Sequence, residues 1–128
     1  MKMTMTNNMS IGIDAVDIER IRDSIKKYGD RFLSRIFTQE ELNYCLSKQD
    51  PAIHLAARFA AKEAISKALG TGIGQHLGWQ DISVTRTPSG QPAVVFSEKA
   101  MLAHGNPIVI LSLSHTHTIA IASALRTN

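Results

Sequence analysis

The spacing of the hydrophobic residues changes near the middle of the chain, and this change constrains the fold more than any other feature. Through most of the first half, apolar side chains recur every three or four positions, which is typical of helices packed on one face. In the second half they alternate with polar side chains, which is typical of strands with one buried face. The sequence therefore predicts one α+β domain over residues 10–128, with helices mostly in the first half and an antiparallel sheet.

One short strand precedes the helices. Residues 10–16 alternate between apolar and small or polar side chains, which predicts a strand with Asp14 at its exit. Apolar residues at helical spacing then predict a helix over residues 17–28, and Gly29 is a typical helix stop.

Two further helices begin with recognisable capping sequences. Thr38 and Glu41 have the spacing of a capping box, in which each side chain accepts a hydrogen bond from the other residue's backbone. Asp50 and Pro51 supply a cap and a first-turn proline for a long helix over residues 52–69.

The second half alternates strands with turns and one short helix. Ser97 is expected to cap that helix, which ends at Gly105. Four segments of alternating or continuous apolar residues predict strands at residues 82–85, 93–96, 108–112 and 119–125.

Composition excludes several classes of protein. The formal net charge of +3 favours anionic partners without choosing among them. Cys45 is the single cysteine, so no internal disulfide and no cysteine-based zinc site can form, and its apolar neighbours predict a core position. No apolar stretch reaches membrane-spanning length, and residues 1–9 are polar and methionine-rich. We expect a flexible extension at residues 1–9 and a cytoplasmic location.

The long helix carries the charged residues that best fit a chemical role. Glu63 and Lys67 are four apart and share a face, as do Arg58 and Lys62. Spacing alone favours a solvated face with salt bridges, whereas the alanines between the charges favour contact with a ligand or another subunit. If Asp14 met Glu63, their carboxylates would suit Mg²⁺, but spacing leaves that meeting open.

Two other patterns invite functional interpretations that the sequence disfavours. The glycine-rich loop at residues 70–74 follows a helix, whereas a phosphate-binding loop precedes one and uses its N-terminal amides. His115 and His117 lie two apart in a turn without a third ligand, which disfavours zinc.

The first helix and its exit are basic, which predicts either a solvated face or a docking surface for an acidic partner, through Arg20, Arg22, Lys26, Lys27 and Arg31.

Three segments together resemble one family, the holo-acyl-carrier-protein synthases, which are the short-chain class of phosphopantetheinyl transferases. The segments are residues 11–20 (IGIDAVDIER), residues 58–72 (RFAAKEAISKALGTG) and residues 113–116 (LSHT), the last followed by an alternating strand. They occur in the family's order, and the resemblance extends from about residue 10 to residue 125.

The resemblance implies a fold, a reaction and a set of reacting groups. The fold would be that of 4′-phosphopantetheinyl transferases, and the reaction would transfer 4′-phosphopantetheine from coenzyme A to a serine of apo-acyl carrier protein, in fatty acid biosynthesis. Adenosine 3′,5′-bisphosphate would be released. Asp14 and Glu63 would hold Mg²⁺, with Mn²⁺ also possible, and Glu63 would accept the serine proton directly or through a metal-held water. Lys67 would neutralise the phosphates.

The resemblance also implies binding residues and an assembly. Coenzyme A would be held by Arg58, Lys62, Lys67, Gly70, Thr71, Ser114 and His115. The acidic carrier protein would dock on the first helix through Arg20, Arg22, Lys26 and Lys27. Members of this class typically form trimers with active sites between subunits, so a homotrimer is expected.

Three alternatives stay open at the level of sequence. A non-catalytic basic domain that binds nucleic acid is compatible with the charge, although no cluster of stacking aromatics is present. A family member that has lost catalysis is disfavoured, because Asp14, Glu63 and Lys67 are all intact. A carrier domain of a polyketide or peptide synthase could replace the acyl carrier protein as acceptor.

Overall fold

The protein has the α+β organisation that the sequence predicts. The structure is a computed structural model that describes residues 9–128, so the expected extension at residues 1–9 lies outside the described residues apart from Met9. The elements in chain order are β1 (Ser10–Asp17), α1 (Ile18–Tyr28), α2 (Asp30–Ile36), α3 (Gln39–Leu46), α4 (Pro51–Ala68), a 3₁₀ turn (Trp79–Asp81), β2 (Ile82–Arg86), β3 (Pro92–Phe96), α5 (Glu98–Ala103), β4 (Val109–His115) and β5 (Ile119–Arg126). None of the helices described is long and apolar enough to cross a membrane.

The strands form two antiparallel sheets. The larger sheet has the order β1-β5-β4, and the smaller one pairs β2 with β3. Residue Asp14 of β1 lies opposite Ala122 of β5, which in turn lies opposite Leu113 of β4. The last strand in sequence therefore occupies the centre of the larger sheet and fixes the position of β1.

Helix α4 packs across the inner face of the larger sheet and supplies more of the buried apolar residues than any other element. Its sheet-facing positions are small, which lets the helix backbone come close to the strands. Gly12 of β1 makes the closest approach, because a Cβ atom there would collide with the carbonyl oxygen of Ala64. The fully buried alanines of α4 are Ala56, Ala60, Ala61 and Ala64.

The predicted helix starts are mostly confirmed. The backbone amide of Thr38 donates to the Glu41 carboxylate at 2.8 Å, and the Glu41 amide donates to the Thr38 hydroxyl at 3.3 Å, which completes the capping box. Ser97 caps α5 by accepting a hydrogen bond from the amide of Ala100. Asp50 makes no side-chain cap for α4, because its carboxylate binds Arg22 of α1 instead.

Two expectations about the first half were wrong. Strand β1 continues to Asp17, so Asp14 lies within the strand and not at its exit. Gly29 ends α1 as expected, but it turns the chain with φ = 56° directly into α2, which the sequence analysis did not predict. Helix α2 has only seven residues, too few for a clear hydrophobic period.

The outer face of the larger sheet carries exposed aliphatic side chains from all three strands. Ile13 on β1 is 62% exposed and Ile110 on β4 is 58% exposed. The same face includes Ile11, Ile119 and Ile121. A face of this kind is typical of an interface with another protein chain.

Candidate active site

The structure brings Asp14 and Glu63 to one cleft. Strand β1 supplies Asp14 and helix α4 supplies Glu63, and both carboxylates line a cavity of about 430 Å³. The close packing of β1 on α4 produces this meeting, which spacing in the sequence could not establish. The remaining lining residues are Ala15, Val16, Arg20, Ile21, Ser24, Phe32 and Phe59.

Lys67 lies one helical turn after Glu63 on α4 and binds the Asp14 carboxylate. Its ammonium donates to Asp14 Oδ1 at 3.2 Å and to the carbonyl oxygen of Ile13 at 3.0 Å. Half of the Lys67 side chain is exposed, so it remains accessible to a ligand in the cleft. Besides the two carboxylates, the cleft region thus has Arg20 in its lining and Lys67, whose ammonium is held by β1.

The surroundings of Glu63 raise its pKa above the usual value of a glutamate. Partial burial is the largest cause, and the negative charge of Asp14 adds to it, while the positive charge of Lys67 acts in the opposite direction. A carboxylate with a raised pKa accepts a proton more readily. The carboxylates of Asp14 and Glu63 line one cleft, and their two negative charges favour binding of a cation there.

The donor set fits a hard divalent cation that keeps part of its water shell. No group of three or more histidine, cysteine, aspartate or glutamate side chains converges on a metal position within residues 9–128. Asp14 and Glu63 would therefore supply the protein oxygens, and water and substrate phosphates would supply the others. Mg²⁺ is usually bound in this way, through one or two carboxylates.

A second, cationic site lies around Tyr44 of α3. Arg58, Lys48 and Arg86 approach the Tyr44 ring at 4.3, 4.5 and 5.3 Å from its centroid. A cavity of about 410 Å³ is lined by Tyr44, Arg58 and Arg86, and also by the acidic Glu40. Arg58 lines this cavity although it is only 2% exposed; its Nη1 donates to the carbonyl oxygen of His54 at 3.4 Å, and its buried Nε has no hydrogen-bond partner among the described residues.

His54 lies beside this cationic site. Its ring packs edge-on against Tyr44 with centroids 5.9 Å apart. Burial lowers the pKa of His54, and the positive charges of Arg58, Lys48, Arg86 and His115 lower it further. Several positive charges close together make the Tyr44 site suited to an anion.

Lys62 does not lie where the sequence analysis expected it. Its side chain is 0% exposed, and its ammonium binds Glu41 Oε1 at 2.6 Å inside the domain. The expected contact of Lys62 with coenzyme A is therefore corrected, because its ammonium is enclosed by protein groups and cannot reach a phosphate.

Four of the expected coenzyme A ligands lie on the surface, namely Gly70, Thr71, Ser114 and His115. Gly70 and Thr71 form the exposed start of the loop after α4, and Gly70 has φ = 84°. Ser114 and His115 are exposed at the end of β4. They remain predicted ligands.

The basic residues of α1 differ in whether they are free to bind an acidic partner. Arg20 lines the cleft, and Lys26 and Lys27 are exposed. Arg22 is already engaged, because its guanidinium binds both oxygens of Asp50 at 2.8 and 3.2 Å. It also binds Glu19, and hydrogen bonds to these two carboxylates raise the pKa of Arg22.

Sequence reasoning missed the aromatic residues and Arg35 beside the cleft, although it named Arg20 and Arg31. The Phe59 and Trp79 rings stack with centroids 5.1 Å apart. A hollow of about 600 Å³ adjoins the cleft and is lined by Ser24, Tyr28, Arg31, Phe32, Arg35, Ile36 and Trp79. Most of these residues lie on α2, which was not predicted, or on the 3₁₀ turn, which has no periodic signal.

Comparisons with known proteins identify the family of this chain. Residues 10–122 match the family model of the 4′-phosphopantetheinyl transferase superfamily. The holo-acyl-carrier-protein synthase of Chlamydia trachomatis is 52% identical over 115 residues, which cover 90% of this chain and 96% of that protein. The enzyme of that name from Protochlamydia amoebophila is 47% identical over 117 residues, which cover 91% of this chain and 96% of the relative.

Solved structures of the same enzyme have the same fold. The holo-acyl-carrier-protein synthase of Helicobacter pylori, in complex with coenzyme A, superposes with a TM-score of 0.83 at 36% identity, covering 91% of this chain and 98% of that one. The Neisseria meningitidis enzyme superposes with a TM-score of 0.86 at 34% identity, covering 93% and 98%. The chain therefore belongs to the 4′-phosphopantetheinyl transferase superfamily.

Proposed function

We propose that this protein is a holo-acyl-carrier-protein synthase, which transfers 4′-phosphopantetheine from coenzyme A to a serine of apo-acyl carrier protein in fatty acid biosynthesis. The products are holo-acyl carrier protein and adenosine 3′,5′-bisphosphate. The observation that carries the proposal is the cleft in which Asp14, Glu63 and Lys67 meet. Relatives that carry the name of this enzyme match almost the whole chain.

We further propose that the reaction depends on Mg²⁺ held by Asp14 and Glu63, with Mn²⁺ as a possible substitute. The two hard carboxylates in one cleft support this assignment. When bound, the metal supplies positive charge that offsets the charge of the diphosphate of coenzyme A.

The chain's own groups act on the two substrates. Glu63 accepts the proton of the carrier serine, directly or through a metal-held water, while the serine oxygen bonds to the β-phosphorus. The bond from that phosphorus to the bridging oxygen breaks, and adenosine 3′,5′-bisphosphate leaves. Lys67 is held by the carbonyl oxygen of Ile13 and directs its charge toward the phosphates.

The nucleotide end of coenzyme A is assigned to the cationic Tyr44 site. Arg58 lines the cavity of that site, and His115 lies close enough for its charge to lower the pKa of His54. Ser114, Gly70 and Thr71 are exposed and complete the proposed set of contacts.

Coenzyme A contacts are assigned to two faces of α4, which suggests that a complete site needs two protomers. Arg58 and Glu63 are five residues apart, so their side chains point about 140° apart around the helix axis. The cavities that they line share no residue. One coenzyme A molecule can engage both faces if one protomer supplies Glu63 and another supplies Arg58.

We propose a homotrimer with active sites at the subunit interfaces. The exposed isoleucines on the outer face of the larger sheet support self-association, because their burial between protomers would remove apolar surface from water. Sedimentation velocity on the purified protein tests this state, since a trimer has three times the mass of the 14.0 kDa chain.

Carrier docking is assigned to α1. Arg20, Lys26 and Lys27 are available to acidic groups, whereas the engagement of Arg22 with Asp50 reduces its contribution. Because both proposed substrates are soluble, we assign the reaction to the cytoplasm and the transferase domain to residues 10–128.

Release of adenosine 3′,5′-bisphosphate tests the proposed reaction. The protein is incubated with coenzyme A, Mg²⁺ and apo-acyl carrier protein, and the nucleotides are separated by chromatography. We expect release only with a carrier that has its acceptor serine, and none with a serine-to-alanine carrier. Salt-dependent binding of oligonucleotides without any release would favour the basic nucleic-acid-binding alternative.

A further inference from the structure

A fully buried ion pair lies directly behind the cleft. Lys62 precedes Glu63 in the sequence, but it points into the domain, where its ammonium binds the Glu41 carboxylate at 2.6 Å. The same ammonium donates to the carbonyl oxygen of Ile36 at 2.8 Å and to that of Trp79 at 3.0 Å. The lysine thereby fills all three of its donor positions with protein acceptors.

Glu41 is equally engaged. Its carboxylate accepts hydrogen bonds from the amide of Thr38 at 2.8 Å and from the amide of Val84 at 2.8 Å. The pair therefore joins the end of α2, the start of α3, helix α4, the 3₁₀ turn and strand β2. Two buried charges that are fully hydrogen-bonded fix the relative positions of the backbones that they join.

The backbones joined by this pair carry the side of the cleft that faces α2. We call the stacked rings of Phe59 and Trp79 the Phe59–Trp79 wall. Phe59 lines the cleft beside Glu63, while Trp79 and Ile36 line the adjoining hollow with Arg31 and Arg35. The carbonyl groups that bind the ammonium belong to two of these residues, Ile36 and Trp79.

We infer that the buried Glu41–Lys62 pair positions the Phe59–Trp79 wall for the incoming carrier protein, so that Glu41 and Lys62 are positioning residues of the transferase. The inference rests on the proposed function. Neither residue touches a substrate, since both side chains are 0% exposed.

An apolar side chain at residue 62 would not hold the Phe59–Trp79 wall in one position. A methionine at residue 62 would occupy a similar volume, but the carbonyl oxygens of Ile36 and Trp79 would then be buried without a donor. Packing between apolar groups tolerates small shifts of the wall. Three hydrogen bonds donated by one ammonium, two of them to backbone carbonyls, do not. Placement of a reacting group is sensitive to such shifts.

The main experiment compares Lys62→Met and Glu41→Gln with the wild type in steady-state transfer. We expect the KM for the carrier protein to rise about tenfold in both variants. The KM for coenzyme A should change less than about twofold, because the nucleotide end is assigned to the Tyr44 site, away from the wall. Leu111→Ala is the matched control. It removes a buried side chain from β4 and lowers stability, and we expect it to leave the KM for carrier unchanged.

A double-variant cycle distinguishes positioning from a general loss of stability. Trp79→Ala alone should raise the KM for carrier as Lys62→Met does. The variant that combines both substitutions should have a KM for carrier no higher than that of either single variant. Additive effects on KM would contradict the inference, because they would mean that Lys62 does not act through the wall. Glu41→Gln combined with Lys62→Met removes both buried charges together, so this pair provides a second variant if Lys62→Met alone fails to fold.

Fluorescence reports the wall without any reaction. Trp79 is the single tryptophan, so quenching by acrylamide measures its accessibility directly. We expect about twofold stronger quenching in Lys62→Met than in Leu111→Ala. Unchanged quenching and an unchanged KM for carrier, in variants that transfer, would overturn the positioning role and leave the proposed function intact. Absence of transfer by the wild type would instead contradict the proposed function.

Discussion

Gly12 of β1 lies directly against the carbonyl oxygen of Ala64 on α4, so closely that no side chain fits between the strand and the helix. Two residues later β1 presents Asp14 to the cleft, and one residue earlier α4 presents Glu63. The absence of a side chain at Gly12 therefore sets the separation of the two carboxylates.

Gly12→Ala is predicted to damage both stability and activity. The new methyl group would collide with the Ala64 carbonyl, which must move away and shift α4 relative to β1. We expect the free energy of unfolding to fall by about 3 kcal/mol or more, measured by urea denaturation. Gly74→Ala is the control, because nothing lies within 4 Å of the added methyl group there. Equal losses in the two variants would contradict the close-packing argument.

Glu63→Gln is predicted to abolish transfer and preserve the fold. The amide keeps the shape of the side chain, but it cannot accept the serine proton and is a poor metal ligand. We expect kcat to fall at least about 100-fold, with an unchanged circular dichroism spectrum. Glu98→Gln at the start of α5 is the control and should retain activity. Turnover by Glu63→Gln at the wild-type rate would disprove the assigned role.

Lys67→Gln is predicted to raise the pKa of Glu63 further. The positive charge of Lys67 acts against the burial and the Asp14 charge that raise this pKa, so its removal leaves them unopposed. The measurement is a carboxyl NMR titration of metal-free protein in EDTA. A downward shift of the Glu63 pKa, or no shift, would show that Lys67 does not act on Glu63 electrostatically.

Nucleotide binding is predicted to raise the pKa of His54. Burial and four neighbouring cationic groups lower this pKa in the free protein, and an anionic phosphate among them would offset their charge. We expect adenosine 3′,5′-bisphosphate to shift the NMR titration of the His54 ring to higher pH. His76, whose backbone carbonyl contacts His104 elsewhere on the surface, should not respond. A nucleotide that binds tightly without moving the His54 titration does not occupy the Tyr44 site.

Ile110→Lys is predicted to dissociate the assembly. Ile110 is 58% exposed in the single chain, and a lysine there would place a charge in the proposed interface. We expect sedimentation velocity to give a trimer for the wild type and a monomer with little transfer activity for the variant. Leu102→Lys serves as control, because Leu102 is 75% exposed on α5 and away from that sheet face. A monomeric wild type with full activity would contradict the trimer proposal.

Much of the fold was predictable because its signals are local. The capping box of Thr38 and Glu41 depends on four consecutive residues, and the alternation of β5 reflects one buried face. Helix α2 was missed because a glycine that ends one helix can also start the next, and seven residues carry too little periodicity.

The site was predictable only in part, because spacing does not determine direction. Glu63 and Lys67 have the same separation as Arg58 and Lys62. Glu63 lines the cleft and Lys67 binds Asp14 there, whereas Lys62 points into the core. The acceptors that enclose Lys62 come from Glu41 and from two backbone carbonyls, which are distant in sequence. Such tertiary contacts leave no pattern along the chain. The resemblance to the transferase family, by contrast, identified the reaction that the proposed function now adopts.

The most direct test of the account is the intact mass of apo-acyl carrier protein after incubation with this protein, coenzyme A and Mg²⁺. We predict a gain equal to one phosphopantetheine group, and we predict that EDTA prevents it. A gain that persists in EDTA would contradict the metal assignment at Asp14 and Glu63. No gain with any of a panel of carriers, from folded protein, would contradict the proposed transferase activity itself.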